Sequence, residues 1–204
     1  MFGQKQLGDF EHRLSPLLEG DGFVSSNGIW RRSAGPIVNY LGMQLKSDER
    51  AFCVNLGVHF TFIPPVGKSQ VVAMADLSLA ECEIKSRLAW LREVDHWWSF
   101  DDDEQQATDL ISCYEQVGRR FFQQFSQFPH PFADIELSEI ASDTVAAFFP
   151  MMTKVRKVLL LARIHDHLGH SDRVVPLCKL GIEVAGMASG PKAAFRDLLR
   201  KYEP

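Results

Sequence analysis

The clearest alternation of apolar and polar residues in this chain lies between residues 52 and 62. Apolar side chains hold every second position: Phe52, Val54, Leu56, Val58, Phe60 and Phe62. Because successive side chains of a β-strand point to opposite faces, this pattern predicts a strand with one buried face and one face that is not fully apolar. Segments 28–34 and 37–47 also have strand character, and turn residues at 33–36 and 47–50 separate these three successive strands.

A fourth strand and two helices complete the predicted N-terminal region. The strand lies within residues 82–90, where Cys82, Ile84, Leu88 and Trp90 share one face. The first helix ends near Gly20, and Pro16 is expected to kink or shorten it because an interior proline lacks the N–H and clashes with the preceding turn. The second helix falls within 101–128 and faces a core with a long apolar stripe. Members of that stripe are Ala107, Leu110, Ile111, Tyr114, Val117, Gly118, Phe121, Phe122, Phe125 and Phe128.

Beyond residue 131 the pattern becomes helical throughout, with helices predicted at 136–149, 153–168, 172–187 and 191–202. Small residues there, Ala162 and Gly181, mark places where helices can approach closely. Strands followed by helices favour an α+β fold: an antiparallel sheet of about four or more strands packed by an N-terminal helix and a long amphipathic helix. The predicted domains are therefore 1–130, an α+β domain, and 131–204, a helical C-terminal extension packed on it.

Composition narrows the functional class. With 204 residues, 46% of them hydrophobic, the chain can build a core without disulfides, and its four widely spaced cysteines are interpreted as reduced core residues of a cytosolic protein. A net charge of −4 argues against attraction to nucleic acid or to an anionic membrane. The N-terminal segment lacks the apolar stretch of a signal peptide, and no apolar run approaches the roughly 20 residues that span a bilayer. We therefore expect a cytoplasmic location.

Catalytic signatures are missing from the sequence. It contains no nucleophile elbow, no phosphate-binding loop, no dinucleotide-binding glycine motif and no HExxH zinc motif. The acidic run Asp101, Asp102, Asp103 and Glu104 precedes the long helix, and it is interpreted as a helix N-cap with capping-box spacing between Asp101 and Glu104 rather than as a magnesium site. These observations favour a protein that is not an enzyme and has no cofactor.

The stretch RIHDHLGH, residues 163–170, is the most enzyme-like feature of the chain. Adjacent His165 and Asp166 resemble the centre of HD-type metal phosphohydrolases, and that alternative would need further ligands. Its candidate metal ligands are His130, His165, Asp166 and Asp172. However, His165 and His167 lie about 200° apart around a helix, so they cannot both face one metal. The favoured interpretation is a helix end that is closed by Gly169 and carries histidines near the negative end of its dipole.

Polar residues on the non-core faces of the strands form a second candidate site. If the strands are neighbours, this sheet face is polar and slightly positive, so it suits an acidic protein partner or a small anion, or is an ordinary solvated face. Two adjacent tryptophans in a strand point to opposite faces, so one is expected in the core and the other half-exposed. The candidate binding residues are Gln44, Asn55, His59, Lys85, Arg87, Trp97 and Trp98.

Several segments in order resemble a known family. They are GDGFVSSNGIWRR, NYLGMQLKS, AFCVNLGVHF, CEIKSRLAW, the WW of DHWWSF, and the long amphipathic helix that follows. Together, over about residues 5–128, they resemble DUF4304, a bacterial domain of unknown function, while the C-terminal helices lie outside the resemblance. The resemblance implies an α+β domain in the bacterial cytoplasm and assigns no activity to any residue.

The sequence thus leads to one favoured function and two alternatives. The favoured one is a non-enzymatic module that binds a protein partner, of which a toxin-neutralising immunity protein is one version. The alternatives are a metal-dependent phosphohydrolase that uses the histidines and aspartates named above, and a small-ligand binder on the polar sheet face. Neither nucleic acid nor membrane is expected as a partner.

Overall fold

A computed structural model describes residues 2–26, 28–68, 70–90, 95–145 and 148–203. The chain divides into two compact units, Met1–Ser126, here called unit 1, and Gln127–Pro204, here called unit 2. Residues 146 and 147, which belong to the predicted helix 136–149, lie outside the described residues. No helix of the described segments is both long and apolar enough to cross a membrane.

Unit 1 is built on a six-stranded antiparallel sheet with the order β1-β2-β3-β4-β5, in which β6 also pairs with β4. Its strands are β1 (Val24–Ser26), β2 (Ile29–Ala34), β3 (Ile37–Leu45), β4 (Ala51–Phe60), β5 (Ile84–Arg87) and β6 (Trp98–Ser99). The predicted antiparallel sheet and its four principal strands are confirmed. The two shortest strands, β1 and β6, were not predicted, because two or three residues do not establish a period of two.

One face of the sheet, here called the inner face, carries the apolar alternation of β4. Directly paired residues share a face, so Leu41 of β3 lies beside Leu56, and Trp98 of β6 lies beside Phe52. The first helix, α1 (Phe2–Gly20), packs on this face, with the rings of Phe10 and Phe52 4.8 Å apart between centroids. Burial of these large aromatic side chains contributes to the stability of the unit.

Helix α1 continues through Pro16 to Gly20, so the predicted shortening at the proline is wrong. The missing N–H removes one backbone hydrogen bond, but Leu14 and Leu18 on either side of Pro16 are fully buried. Their burial holds the last turn on the core and offsets the lost bond.

The predicted long helix is present but is not uniform. It consists of α2 (Asp103–Cys113), a π-helical turn (Tyr114–Gly118) and α3 (Arg119–Gln123). The predicted capping box is wrong: the N-cap is Asp102, which has a left-handed backbone and makes no side-chain cap hydrogen bond. Asp101 instead accepts a hydrogen bond from the hydroxyl of Ser99, at 3.0 Å. The acidic run identified where the helix begins, but it did not show which residue is the N-cap.

Unit 2 is helical, as predicted, with α4 (Leu137–Ala141), α5 (Lys154–Leu168), α6 (Ser171–Val184) and α7 (Ser189–Leu199). The first of these is shorter than the predicted helix 136–149, because residues 142–145 form a turn. Gly169 caps α5 with φ of 75°, which confirms the interpretation of RIHDHLGH as a helix end. The close approach at Gly181 is also confirmed, because a Cβ built there would lie 2.2 Å from Cζ of Phe195 in α7.

All four cysteines are buried and free, which confirms their prediction as core residues.

We expect Gly181→Ala to destabilise unit 2, because the added methyl overlaps the rigid Phe195 ring. Overpacking of this kind costs roughly 1–3 kcal/mol. Urea unfolding followed by helical circular dichroism measures the loss. Gly190→Ala is the matched control, since Gly190 lies in α7 and, apart from its chain neighbours and the nearby backbone of its own helix, no atom comes within 4 Å of the place that its added methyl would occupy. Equal stability of the two variants would show that the α6–α7 contact accommodates the added methyl group without a loss in the free energy of unfolding.

Candidate functional site

The opposite face of the sheet, here called the outer face, carries the residues that alternate with the apolar stripe of β4. Cross-strand pairs Val38–His59, Tyr40–Gly57 and Gln44–Cys53 lie on it, as do Lys85 and Arg87 of β5. The face divides along β4 into two halves. The half around His59 is covered, whereas the half around Asn55 is open.

The covered half is closed by the chain between β4 and β5, which includes two 3₁₀ turns, Met74–Asp76 and Leu79–Glu81. Its apolar residues form a second small core against β2 and β3, and that cluster consists of Val38, Tyr40, Leu77 and Cys82 with Ile29, Val72, Met74 and Leu79. Close contact depends on Gly57, because a Cβ there would lie 2.9 Å from Sγ of Cys82. We call this segment, residues 71–82, the cover.

His59 therefore does not belong to an open face, and its place among exposed binding residues is corrected. The side chain is fully buried, and Nε2 lies 3.0 Å from the carbonyl oxygen of Ile63. The sequence pattern showed that His59 alternates with the apolar stripe, but it did not show that the cover returns over the same strand. Burial with a backbone partner gives this histidine a structural role.

Polar contacts fix the cover in place. The hydroxyl of Tyr40 donates to the carbonyl of Met74 at 3.1 Å, and Lys85 Nζ donates to the carbonyl of Ala80 at 2.7 Å. Burial raises the pKa of Tyr40 to about 12, so the phenol stays protonated and keeps donating at ordinary pH. Lys85 thus lies at the border between the two halves, held by the cover.

The open half carries an aromatic and cationic group that we call the Trp97 patch. Its members are Gln44, Lys46, Asn55, Arg87, Asp95 and Trp97. The guanidinium of Arg87 lies 5.1 Å from the centroid of the Trp97 ring, and Lys46 Nζ lies 5.9 Å from it. Both distances are within the range of cation–π contact, so the indole is flanked by two cations.

The remaining members orient this arrangement. Asp95 accepts a hydrogen bond from Trp97 Nε1 at 3.0 Å and lies 3.4 Å from Nε of Arg87. Asn55, which pairs directly with Arg87 in the sheet, donates to Oε1 of Gln44 at 3.2 Å. Of the predicted residues, the structure thus brings Gln44, Asn55, Arg87 and Trp97 together and leaves Lys85 at the edge. Lys46 and Asp95 complete the group.

Trp98 lies on the other side of the sheet. It is fully buried on the inner face, and its Nε1 donates to Asp109 of α2 at 3.2 Å. Trp90 donates to the same carboxylate at 3.2 Å. The expectation that one of the adjacent tryptophans is core and the other half-exposed is confirmed, and Trp98 is removed from the binding set.

Of the four candidate metal ligands of unit 2, His130 and Asp166 make separate contacts, and Asp172 lies in the first turn of α6. His130 bonds with Asp134 at 2.5 Å, and Asp166 accepts from Lys201 and Tyr202, each at 2.7 Å. Within the described residues, no group of three or more histidine, cysteine, aspartate or glutamate side chains is arranged to hold a metal ion.

His165 instead faces the next helix. Its Nδ1 lies 3.2 Å from Nδ1 of His170, and its side chain borders a cavity of about 200 Å³ together with Arg173. Glu136 binds both terminal nitrogens of Arg173, at 2.7 and 2.8 Å. Burial first, and then electrostatic interaction with His170 and with the guanidinium of Arg173, lower the pKa of His165 below its ordinary value.

One ionic cluster of unit 1 was not foreseen from the sequence. Asp21, at the end of α1, accepts from Arg119 at 2.8 and 3.0 Å and from the hydroxyl of Tyr114 at 2.8 Å. Burial tends to raise the pKa of Asp21, but these hydrogen bonds outweigh it and hold the pKa below its ordinary value. The partners are too distant in sequence for spacing to reveal them, and the cluster ties α1 to the π-helical turn.

Comparison with known proteins agrees with the N-terminal resemblance. A family model described as Domain of unknown function (DUF4304) matches residues 14–125, which is more than half of the chain. This match confirms the predicted resemblance, and the helices of unit 2 lie outside it. Searches of curated proteins and of solved structures gave no match.

We expect acid to destabilise unit 2 through His165. Because the pKa of His165 is lower in the folded state, the unfolded chain binds the proton more tightly. The contribution of the neutral imidazole to the free energy of unfolding is therefore complete above the ordinary pKa of 6.5. It is lost as the pH falls from there toward the lower folded value, with a slope of at most about 1.4 kcal/mol per pH unit. Urea unfolding at a series of pH values measures it.

His165→Leu should flatten the dependence of stability on pH in this window. His12→Gln is the control, because His12 is an exposed histidine of α1 in unit 1. An unchanged slope in His165→Leu would show that the buried imidazole is not the group that titrates.

Proposed function

We propose that this chain, which belongs to the DUF4304 family, is a non-enzymatic protein-interaction module whose Trp97 patch docks on an acidic segment of a partner protein. The observation that carries the proposal is the Trp97 indole flanked by Arg87 and Lys46 on the open half of the outer face. Tryptophan and arginine are the residue types most enriched among energetically dominant interface positions.

Charge supports an acidic partner. Three basic side chains, Lys46, Lys85 and Arg87, border the open half, against the carboxylates of Asp48 and Asp95. Asp95 already bonds with both Trp97 and Arg87, so the patch holds one carboxylate of its own chain in the position where a partner's carboxylate would bind. An incoming acidic side chain replaces or joins Asp95 and finds donors already oriented.

The support beneath the patch makes it suitable for docking. Asn55 and Arg87 belong to hydrogen-bonded strands, and fully buried Phe52 and Val54 of β4 lie on the opposite face. A rigid strand lowers the entropy lost when its side chains are immobilised by a partner. The area is also polar enough to remain exposed without a partner, which suits a complex that forms and separates.

An immunity protein that neutralises a toxin in the bacterial cytoplasm is one concrete form of this proposal. Such a protein acts by docking, so it needs an interface rather than a catalytic constellation. Expression together with a toxin, followed by a growth assay of patch variants, tests this form separately from binding itself.

Binding is tested with synthetic peptides and isotope-labelled protein. We expect a peptide that alternates glutamate and serine to shift the Trp97 Nε1–H resonance saturably, and a peptide with glutamine in place of glutamate to leave it unchanged. Lys46→Ala or Arg87→Ala should weaken binding by roughly five- to tenfold. Asp95→Asn should strengthen it, because the competing carboxylate is removed.

Lys5→Ala is the matched control for Lys46→Ala: it removes the same charge from an exposed position of α1. Equal weakening by both lysine variants would mean that the peptide responds to net charge alone, and the patch would lose its role. An identical response to the glutamate and glutamine peptides would also contradict the proposal.

A further inference from the structure

A concave region of unit 1 lies at the other end of the outer face, beside β1 and β2. Its volume is about 480 Å³, and its walls include Val24, Ser26, Arg31, Ser33 and Ala75. The register of β1 and β2 places Val24 directly opposite Arg31, and Ser33 follows on the same face of β2. The cover separates this region from the Trp97 patch.

Arg31 is a cation without an ion pair in the part of the chain that the structure describes. Its NH2 makes one long hydrogen bond, 3.5 Å, to the carbonyl of Ala75, and its Nε is buried without an acceptor. By contrast, Arg119 in the same unit has both Nε and NH2 satisfied by Asp21. Partial desolvation of the Arg31 guanidinium is therefore not offset by an anionic side chain of the described residues.

The guanidinium of Arg31 is held in place before any ligand binds. Its guanidinium lies 5.6 Å from the centroid of the Tyr40 ring. That ring is fully buried, and its hydroxyl is bonded to Met74 of the cover. Cation–π contact and the anchored ring hold the guanidinium at the wall of the pocket, so little entropy is lost when it binds a ligand.

Neighbouring groups complete a site for a small molecule that has an oxyanion and an apolar part. Ser26 and Ser33 are exposed, and neither hydroxyl bonds to another described residue. Val24 is 71% exposed, which leaves an apolar surface directly across from the cation. Arg32, also at the pocket, is already occupied: it donates to the carbonyl of Asp21 at 2.9 Å and stacks on Phe23.

We propose that this pocket binds a small molecule through an oxyanion, a carboxylate or a phosphate, with Arg31 as the principal contact. Ser26 and Ser33 donate further hydrogen bonds to the oxyanion, and Val24 packs against the apolar part of the ligand. Planar guanidinium groups bind such oxyanions with two parallel hydrogen bonds, which gives the site orientation as well as charge recognition. The site is distinct from the docking surface proposed above.

Heteronuclear NMR tests the site with benzoate, inorganic phosphate and neutral benzamide as probes. We expect benzoate or phosphate to shift the Arg31 Nε–H signal and the Ser33 amide saturably, while benzamide does not. Saturation by benzoate alone assigns the site to carboxylates, and saturation by phosphate alone assigns it to phosphates. Arg31→Met should weaken binding by about tenfold or more, and Arg31→Lys, which keeps the charge but loses the planar fork, should lie between.

Arg120→Met is the matched control, because Arg120 is an exposed arginine of α3 outside the pocket. Ser33→Ala provides a second variant at an exposed position in case Arg31→Met fails to fold, and it should weaken binding severalfold. Unchanged binding in the pocket variants, equal loss in Arg120→Met, or the same shifts with sodium chloride would overturn the proposal. Because the Trp97 resonance reports the docking surface, the two sites can fail independently.

Discussion

Unit 1 depends on the burial of β4 on both faces over half of its length. Inner-face residues such as Phe52 and Leu56 pack in the main core, while Gly57 lets Cys82 of the cover come close to the outer face. A side chain at Gly57 would push the cover away and expose a second apolar cluster to water. This one close contact therefore decides which part of the outer face is core and which part remains open for binding.

Much of the sheet could be predicted from the sequence because the strand pattern is carried by residues that are neighbours in the chain. The alternation from Phe52 to Phe60 established the strand and its inner face, and turn residues separated it from β3. The cover was not predictable in this way, since 3₁₀ turns and irregular chain have no sustained period. For the same reason, the outer face was treated as uniform, whereas the structure buries His59 and exposes Gln44 on that same face.

At the ends of the helices, sequence signals predicted some capping residues correctly and others wrongly, for a physical reason. Gly169 was a reliable stop because a left-handed backbone there costs glycine little. Asp102 adopts a similar left-handed backbone although it has a side chain, and the acidic run does not show which of its members does so. Likewise, the apolar stripe of α2 was clear, but the π-helical turn depends on contacts such as Tyr114 with Asp21, which are distant in sequence.

The cover also separates the two sites that we propose on this sheet face. Ala80 in the cover accepts from Lys85 beside the Trp97 patch, and Ala75 accepts from Arg31 at the pocket. Each cation is thus fixed by the same segment, yet the apolar cluster between them prevents a continuous basic groove. A groove of that kind would attract long polyanions, whereas two separated cationic sites favour short acidic elements and small anions. In both proposals, selectivity on this face depends on where the cover lies rather than on the total charge of the chain.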